Sequence, residues 1–415
     1  MKQVTFSAGQ QKAYDQVIEF ILHPSKKVFV LEGYSGTGKS TLVERVIDML
    51  PKLIKTEALI SANPMSAWPL QLTATTNKAA EALRQITGAD VVTIHKFLNL
   101  RVSKNYKTQE TMLVRRNDVP NIVNTIIVID EASFIDRILI RKIFEHTSNC
   151  KILFIGDPAQ IVDFRAKDAP VFNSGFETAK LTEVVRQAEG NPIIELSTEF
   201  RKTVTSGKFF NFKPDGVHIK HLKGDEFEAA VLAEFTRKDW KNNDSKVLAW
   251  TNQTVIDYNH AIRERIQGEP RLQVDDYAIC NKHVSHKKFT FKTDQLVQIT
   301  AISPAIEMDL PGYHVELDKL TYFFMPESRD EMKAKLKWAR AKDFLSMVRT
   351  IEDTWIDLRA AYACTINKSQ GSTYDRVFID LDDVSQCNLG NTIARMMYVA
   401  VSRARHEVIL TGDFV

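Results

Sequence analysis

The chain has 415 residues, of which 44% are hydrophobic and 26% charged, with a formal net charge of +3. That length allows two or three domains, and the composition suits packed globular domains and excludes bulk disorder. A nearly neutral charge does not announce a nucleic-acid binder, but it leaves room for a basic groove on one face.

The four cysteines, Cys150, Cys280, Cys364 and Cys387, lie far apart with no Cys-x-x-Cys pair. That spacing argues against a zinc site or a disulfide framework. No apolar run reaches the roughly 18 residues a membrane span needs, and the N-terminus lacks a signal-peptide core. A soluble, intracellular protein is expected, with no membrane contact.

Phe6-Ser-Ala-Gly-Gln10 opens an early helix, where Gln10 by residue type alone is an exposed polar position. The apolar run Val28–Leu31 then predicts a strand, followed by Gly33-Tyr-Ser-Gly-Thr-Gly-Lys39-Ser40 and an amphipathic helix to Leu50. This fits G-x-x-x-x-G-K-[ST] in its strand–loop–helix context. The loop residues Gly33, Gly36, Thr37 and Gly38 let backbone N–H groups turn inward around phosphate oxygens, and the helix start at Ser40 and Thr41 adds partial positive charge. Lys39 reaches the β- and γ-phosphates and Ser40 the magnesium ion, so ATP and Mg²⁺ are the expected cofactors.

Gln71–Ala74 and Lys78–Ile86 form the next strand–helix pair. Between them, Thr76 and Asn77 offer short polar groups and backbone N–H to a phosphate. His95 follows similar logic, although by itself it reads as a satisfied buried histidine, and Phe97 is a candidate for base stacking. Residues 99–120 are polar and predict an inserted hairpin.

Thr125–Ile129 is an apolar strand that delivers Asp130 and Glu131. An acid for the metal and a second one to orient and deprotonate the attacking water are what phosphoryl transfer requires. Phe134–His146 predicts a helix and Lys151–Ile155 a strand. In the second half, Lys246–Trp250 precedes Thr254–Ile266, Arg376–Leu381 precedes Thr392–Arg405, and Val408–Thr411 follows. Strand–helix alternation of this kind builds parallel sheets. Two α/β lobes are expected, interrupted over 270–360 by short antiparallel strands and then by a charged helical stretch, Arg329–Asp357.

Taken in order, these segments resemble the motifs of superfamily 1 DNA helicases, in the RecD-like 5′→3′ branch and within it the Dda-like helicases of T-even bacteriophages. The resemblance covers nearly the whole chain. Gln10 matches an adenine-reading motif. Leu72–Ala80 and Thr93–Leu98 look like motifs Ia and Ib, and Gly156-Asp-Pro-Ala-Gln160 looks like motif III. Leu181–Gln187, with Arg186, resembles motif IV, and Val247–Asn252 the strand opening the second lobe. Thr365–Thr373 and Tyr398–Arg405 look like motifs V and VI.

The resemblance implies two RecA-like motor lobes: 1A over 1–175 with the hairpin (1B, 99–120), and 2A over 176–269 and 361–415. An SH3-like barrel with a helical extension (2B) is implied over 270–360. Gln160 would couple nucleotide to DNA, while Arg186 and Arg403 would reach as arginine fingers from the second lobe, with Gly371, into a shared ATP cleft. Trp250, Thr251, Asn252 and Thr373 would contact DNA, and Tyr374 is a further stacking candidate. Three departures stand out: Thr75 where relatives usually have Pro, Ile-Val-Asp after Gln160, and Asn367 where His is common.

The implied function is ATP-dependent translocation on single-stranded DNA with unwinding of fork DNA, the hairpin acting as the wedge. A single-strand-binding protein or replication proteins are further partners, and a monomer in a bacterial or phage-infected cytoplasm is expected. Two alternatives use the same motifs: a translocase that strips proteins with little unwinding, and a non-catalytic single-strand clamp. A P-loop metabolite kinase leaves the second α/β lobe unexplained.

Overall fold

The computed structural model describes residues 6–60, 68–104, 111–115, 118–161, 169–183, 190–286 and 288–413. The chain divides into two compact units, Met1–Lys208 and Phe209–Val415.

The first unit is built on a six-stranded sheet, all parallel. Its order is Glu177–Leu181, Val28–Gly33, Lys151–Gly156, Ile126–Asp130, Leu70–Ala74 and Val91–Thr93. Because successive strand residues point to opposite faces, these strands feed two cores. Phe29, Leu31, Ile126, Val128, Leu153 and Ile155 enter one core beside the helices Ala8–Leu22, Lys39–Ile60 and Asn77–Thr87. Val30, Ile127, Ile129, Ile152 and Phe154 enter the other, against the helix Arg137–His146. Such near-continuous apolar strands are the mark of a sheet buried on both faces.

Two expectations are corrected here. The first lobe does not stop at 175: Glu177–Leu181 pairs with Val28–Gly33 at the sheet edge, and the helix Pro192–Ser206 precedes the division at Lys208. The strand Glu-Thr-Ala-Lys-Leu carries alternating polar residues, as an edge strand can, so hydropathy did not tie it to this sheet. The helix after the phosphate loop also runs through Pro51 to Ile60 and does not end at Leu50.

The inserted hairpin pairs Leu100–Lys104 with Thr111–Arg115, antiparallel, in the register Leu100 to Arg115. Its tip lies outside the described residues.

The second unit carries a five-stranded parallel sheet in the order Ile219–His221, Ala404–Thr411, Tyr374–Asp380, Ser245–Ala249, Ala363–Thr365. Val247, Ala249, Phe378 and Ile409 pack with Phe227, Val231, Phe235, Val255 and Ile262 on one face. The last helix is shorter than expected. It ends at Val401, and the strand begins at Ala404, so Ser402 and Arg403 form the turn between them. The insertion is a separate antiparallel sheet: Thr321–Pro326, Leu310–Leu317, Leu296–Glu307, Tyr277–Cys280, Leu358–Ala360. The helices Arg329–Ala341 and Leu345–Asp353 lie in the chain between its strands Thr321–Pro326 and Leu358–Ala360, and the fully buried Trp355 packs on Phe324 at 4.7 Å. All four cysteines are free.

Candidate nucleotide and nucleic-acid sites

The phosphate loop leaves the strand Val28–Gly33 and enters the helix at Lys39. Gly36 and Gly38 take φ of 81° and 84°, a region closed to most L-residues, and so turn the loop tightly. A Cβ on Gly33 would lie 2.8 Å from both Lys39 Cγ and Thr37 Oγ1, which explains glycine at a position with no unusual φ. Thr37, fully buried, donates its hydroxyl to the Tyr34 carbonyl at 2.8 Å. Lys39 Nζ donates to the carbonyls of Gly33 (2.5 Å) and Tyr34 (2.9 Å), so its ammonium lies over the loop. Ser40 and Thr41 occupy the first turn of the helix.

Gln10 is not the exposed helix residue that its type suggested. It is 4% exposed and closes a capping box with Ser7, accepting the Ser7 N–H at 3.1 Å. Its amide donates to the Thr37 carbonyl at 3.1 Å. Both halves of the amide thus hold the helix start and the phosphate loop, where the resemblance expected them to read adenine.

Asp130 ends its strand, and burial pushes its carboxyl above the usual range, with the Glu131 N–H and the Lys39 charge pulling it back. A half-buried carboxylate beside a lysine and a hydroxyl-bearing helix start is a hard-oxygen setting that suits Mg²⁺. Glu131 has φ of 54°, a left-handed conformation that costs a non-glycine residue about 1 kcal/mol or more. Two contacts hold it, and a third fixes its neighbour. Its N–H donates to Asp130 Oδ1 at 2.8 Å, and its carbonyl accepts Thr75 Oγ1 at 3.0 Å. Next to it, Thr75 N–H donates to the Asp130 carbonyl at 3.2 Å. Thr75 therefore fastens motif Ia to the acidic turn. The sequence showed it only as a departure from proline.

Gln160 is 4% exposed and follows the fully buried Asp157, which accepts the Ala159 N–H at 2.9 Å. A Cβ on Gly156 would lie 2.9 Å from Phe172 and 3.0 Å from the Ala132 nitrogen, so motif III approaches the acidic turn closely. Arg186 lies outside the described residues.

Four of the expected DNA positions, Thr76, Asn77, Thr251 and Asn252, fall on helix starts. Thr76 caps Asn77–Thr87 by accepting the Ala79 N–H at 3.1 Å. Thr251 caps Asn252–Gln267 in the same way from Thr254. The two units thus repeat one turn: strand, Thr, Asn, helix. In the second, the buried Asp383 accepts the N–H of Trp250, that of Thr251 at 3.1 Å and the Thr254 hydroxyl at 2.6 Å. The polar atoms of Thr251 are therefore used inside the turn, and the exposed Asn252 is the residue turned to solvent.

His95 is half-buried, and burial lowers its pKa against the opposing pull of Asp136. Phe97 packs partly against the core with Ile94 and Leu98, and Tyr374 is 4% exposed, which corrects its reading as a stacking residue. Thr373 and Gly371 lie in the loop before Tyr374, Gly371 with φ of 77°. Arg403 is 5% exposed, and its guanidinium donates to the carbonyls of Val399 and Ser372, both at 3.1 Å, and to Ser402 Oγ at 2.8 Å. It locks motif VI to motif V.

A phosphate-cradling loop on a parallel sheet, with an acid at the end of a strand one place further along that sheet, defines a nucleoside-triphosphatase of the P-loop class. Residues 5–221 match the family model described as AAA domain, and residues 360–411 match the UvrD-like helicase C-terminal domain. The chain belongs to the AAA domain family and carries a UvrD-like helicase C-terminal domain.

The uncharacterized protein R530 of Acanthamoeba polyphaga mimivirus is 18% identical over 494 residues, covering 97% of this chain and 99% of that one. The ATP-dependent RecD2 DNA helicase of Deinococcus radiodurans is 29% identical over 172 residues, 41% of this chain and 21% of that one. In fold, the chain is similar to the Pif1 helicase of Bacteroides in complex with ADP-AlF3 and single-stranded DNA. The TM-score is 0.52 at 16% identity, over 100% of this chain and 94% of that one.

Proposed function

We propose that this helicase is an ATP- and Mg²⁺-driven motor that moves 5′→3′ along single-stranded DNA and opens duplex at a fork, in the manner of the Dda-like branch. The observation that carries the reading is the strand–Thr–Asn–helix turn, present in each unit and accompanied in the first by a phosphate loop.

Lys39 and the loop N–H groups hold the triphosphate. Ser40 and Asp130 would hold Mg²⁺, which would supply charge neutralisation at the phosphates. Glu131, fixed by Thr75, orients the attacking water. Gln160 and Arg403 are assigned to sensing and neutralising the transferring phosphoryl group, a role planar guanidinium groups suit. Asn77 and Asn252 contact phosphates, which positions a strand without reading it. Opening one base-pair step costs about 1.4 kcal/mol of stacking, little enough for a single ATP cycle.

The test is unwinding of matched 5′- and 3′-tailed duplexes with and without ATP. ATP-dependent opening of the 5′-tailed substrate alone is expected. Opening of the 3′-tailed one would reverse the polarity. Stimulation of ATPase by single strands with no unwinding would leave the stripping translocase as the better reading.

A further inference from the structure

Arg359 stands on the short strand Leu358–Ala360, between two buried neighbours, and is half-buried. An arginine so placed normally has a carboxylate partner, because taking a cation out of water is costly. Among the described residues Arg359 forms no ion pair. Asp357, the acid that acts on it, accepts Arg329 Nε at 2.8 Å and Asn281 Nδ2 at 2.7 Å. The Nε of Arg359 is buried without an acceptor. Among the described residues it donates Nη1 to Asn252 Oδ1 at 3.1 Å.

That bond places the guanidinium against the first residue of the 16-residue helix Asn252–Gln267. The start of a helix carries partial positive charge, so it is an unfavourable place for an unpaired cation. Arg329 nearby adds repulsion, and together with burial it lowers the Arg359 pKa. The one acid acting on Arg359, Asp357, is already shared between Arg329 and Asn281, so the arrangement has room for a further anion. A planar guanidinium with free N–H groups beside an amide matches phosphate oxygens better than a lysine would.

We propose that Arg359 is a phosphate contact for single-stranded DNA in the second unit, acting beside Asn252. The proposal rests on the reading that this chain grips single strands. Its Nη1 sets the Asn252 amide, and its remaining N–H groups take a phosphate oxygen, so one backbone phosphate is held by a pair of side chains.

The test is binding of a fluorescent oligothymidine to the full chain without nucleotide, across a salt series, for wild type, Arg359→Ala and Arg359→Lys. Arg359→Ala should weaken binding about tenfold or more, the scale of a charge-assisted hydrogen bond. The slope of log K against log salt should fall by about 0.7, one single-strand phosphate contact. Arg359→Lys should restore the slope but only part of the affinity. Thermal melting of Arg359→Ala should not fall, since no ion pair is lost. A merely structural arginine gives the reverse, a lower melting temperature with an unchanged slope, and that result overturns the proposal. If Arg359→Ala does not fold, Arg359→Gln carries the same comparison. Failure of wild type to bind the oligonucleotide would instead sink the single-strand reading itself.

Discussion

The side-chain amide of Gln10 donates to the main-chain carbonyl of Thr37 at 3.1 Å, so the first helix and the phosphate loop are fastened together through one residue. A Cβ on Gly38 would collide with that same amide nitrogen. The loop is therefore shaped from outside as well as by its own glycines.

Gln10→Ala should destabilise the first unit by about 1–2 kcal/mol, the sum of a capping-box member and a buried hydrogen bond. It should also weaken nucleotide binding by freeing the loop. Denaturant melts and titration with a fluorescent ATP analogue check the two effects. An unchanged nucleotide affinity at lowered stability would confine Gln10 to a capping role.

Lys39→Ala should abolish ATP hydrolysis while single-strand binding stays salt-sensitive and near wild-type strength. Steady-state ATPase assays and anisotropy decide this. Wild-type turnover in the variant would remove Lys39 from the reaction.

Thr75→Val keeps volume and loses the hydroxyl that holds the Glu131 carbonyl at 3.0 Å. A cost of about 1 kcal/mol is expected from the lost bond. ATP turnover should slow more than ATP binding, because Glu131 sits in a left-handed conformation that needs its neighbours. Equal activity with equal stability would show that the Thr75 N–H alone suffices.

His95 has a folded-state pKa held down by burial. Its unfolded pKa is about 6.5. Below that value the unfolded chain binds more protons, so stability rises with pH through this window and falls on acidification. Wild type should lose melting temperature as pH drops below about 6.5, and His95→Gln should lose less over the same interval. Parallel curves would show that His95 is not the titrating group.

The catalytic loop and the acidic strand end were legible because their chemistry is local. Glycines at Gly36 and Gly38, a lysine at Lys39 and an apolar run before Asp130 each act within a few residues of themselves. The parallel sheets were legible for a related reason: apolar strands alternate with amphipathic helices. What could not be read depends on partners distant in the chain. Thr75 meets Glu131, Asp383 meets Thr251, and Arg359 meets Asn252, and no spacing rule joins them. Aromatic residues failed for another reason. Phe97 and Tyr374 could face base or core, and side-chain direction is decided only by packing.

The duplicated Thr–Asn turn has a consequence for what such a machine notices. On the proposed reading, two handholds that touch only sugar and phosphate carry no information about which nucleotide is underfoot. Progress should therefore be indifferent to a missing or bulky base, yet halted by a short run of uncharged methylphosphonate linkages. The track is felt through its charge, and a gap in that charge is a gap in the road.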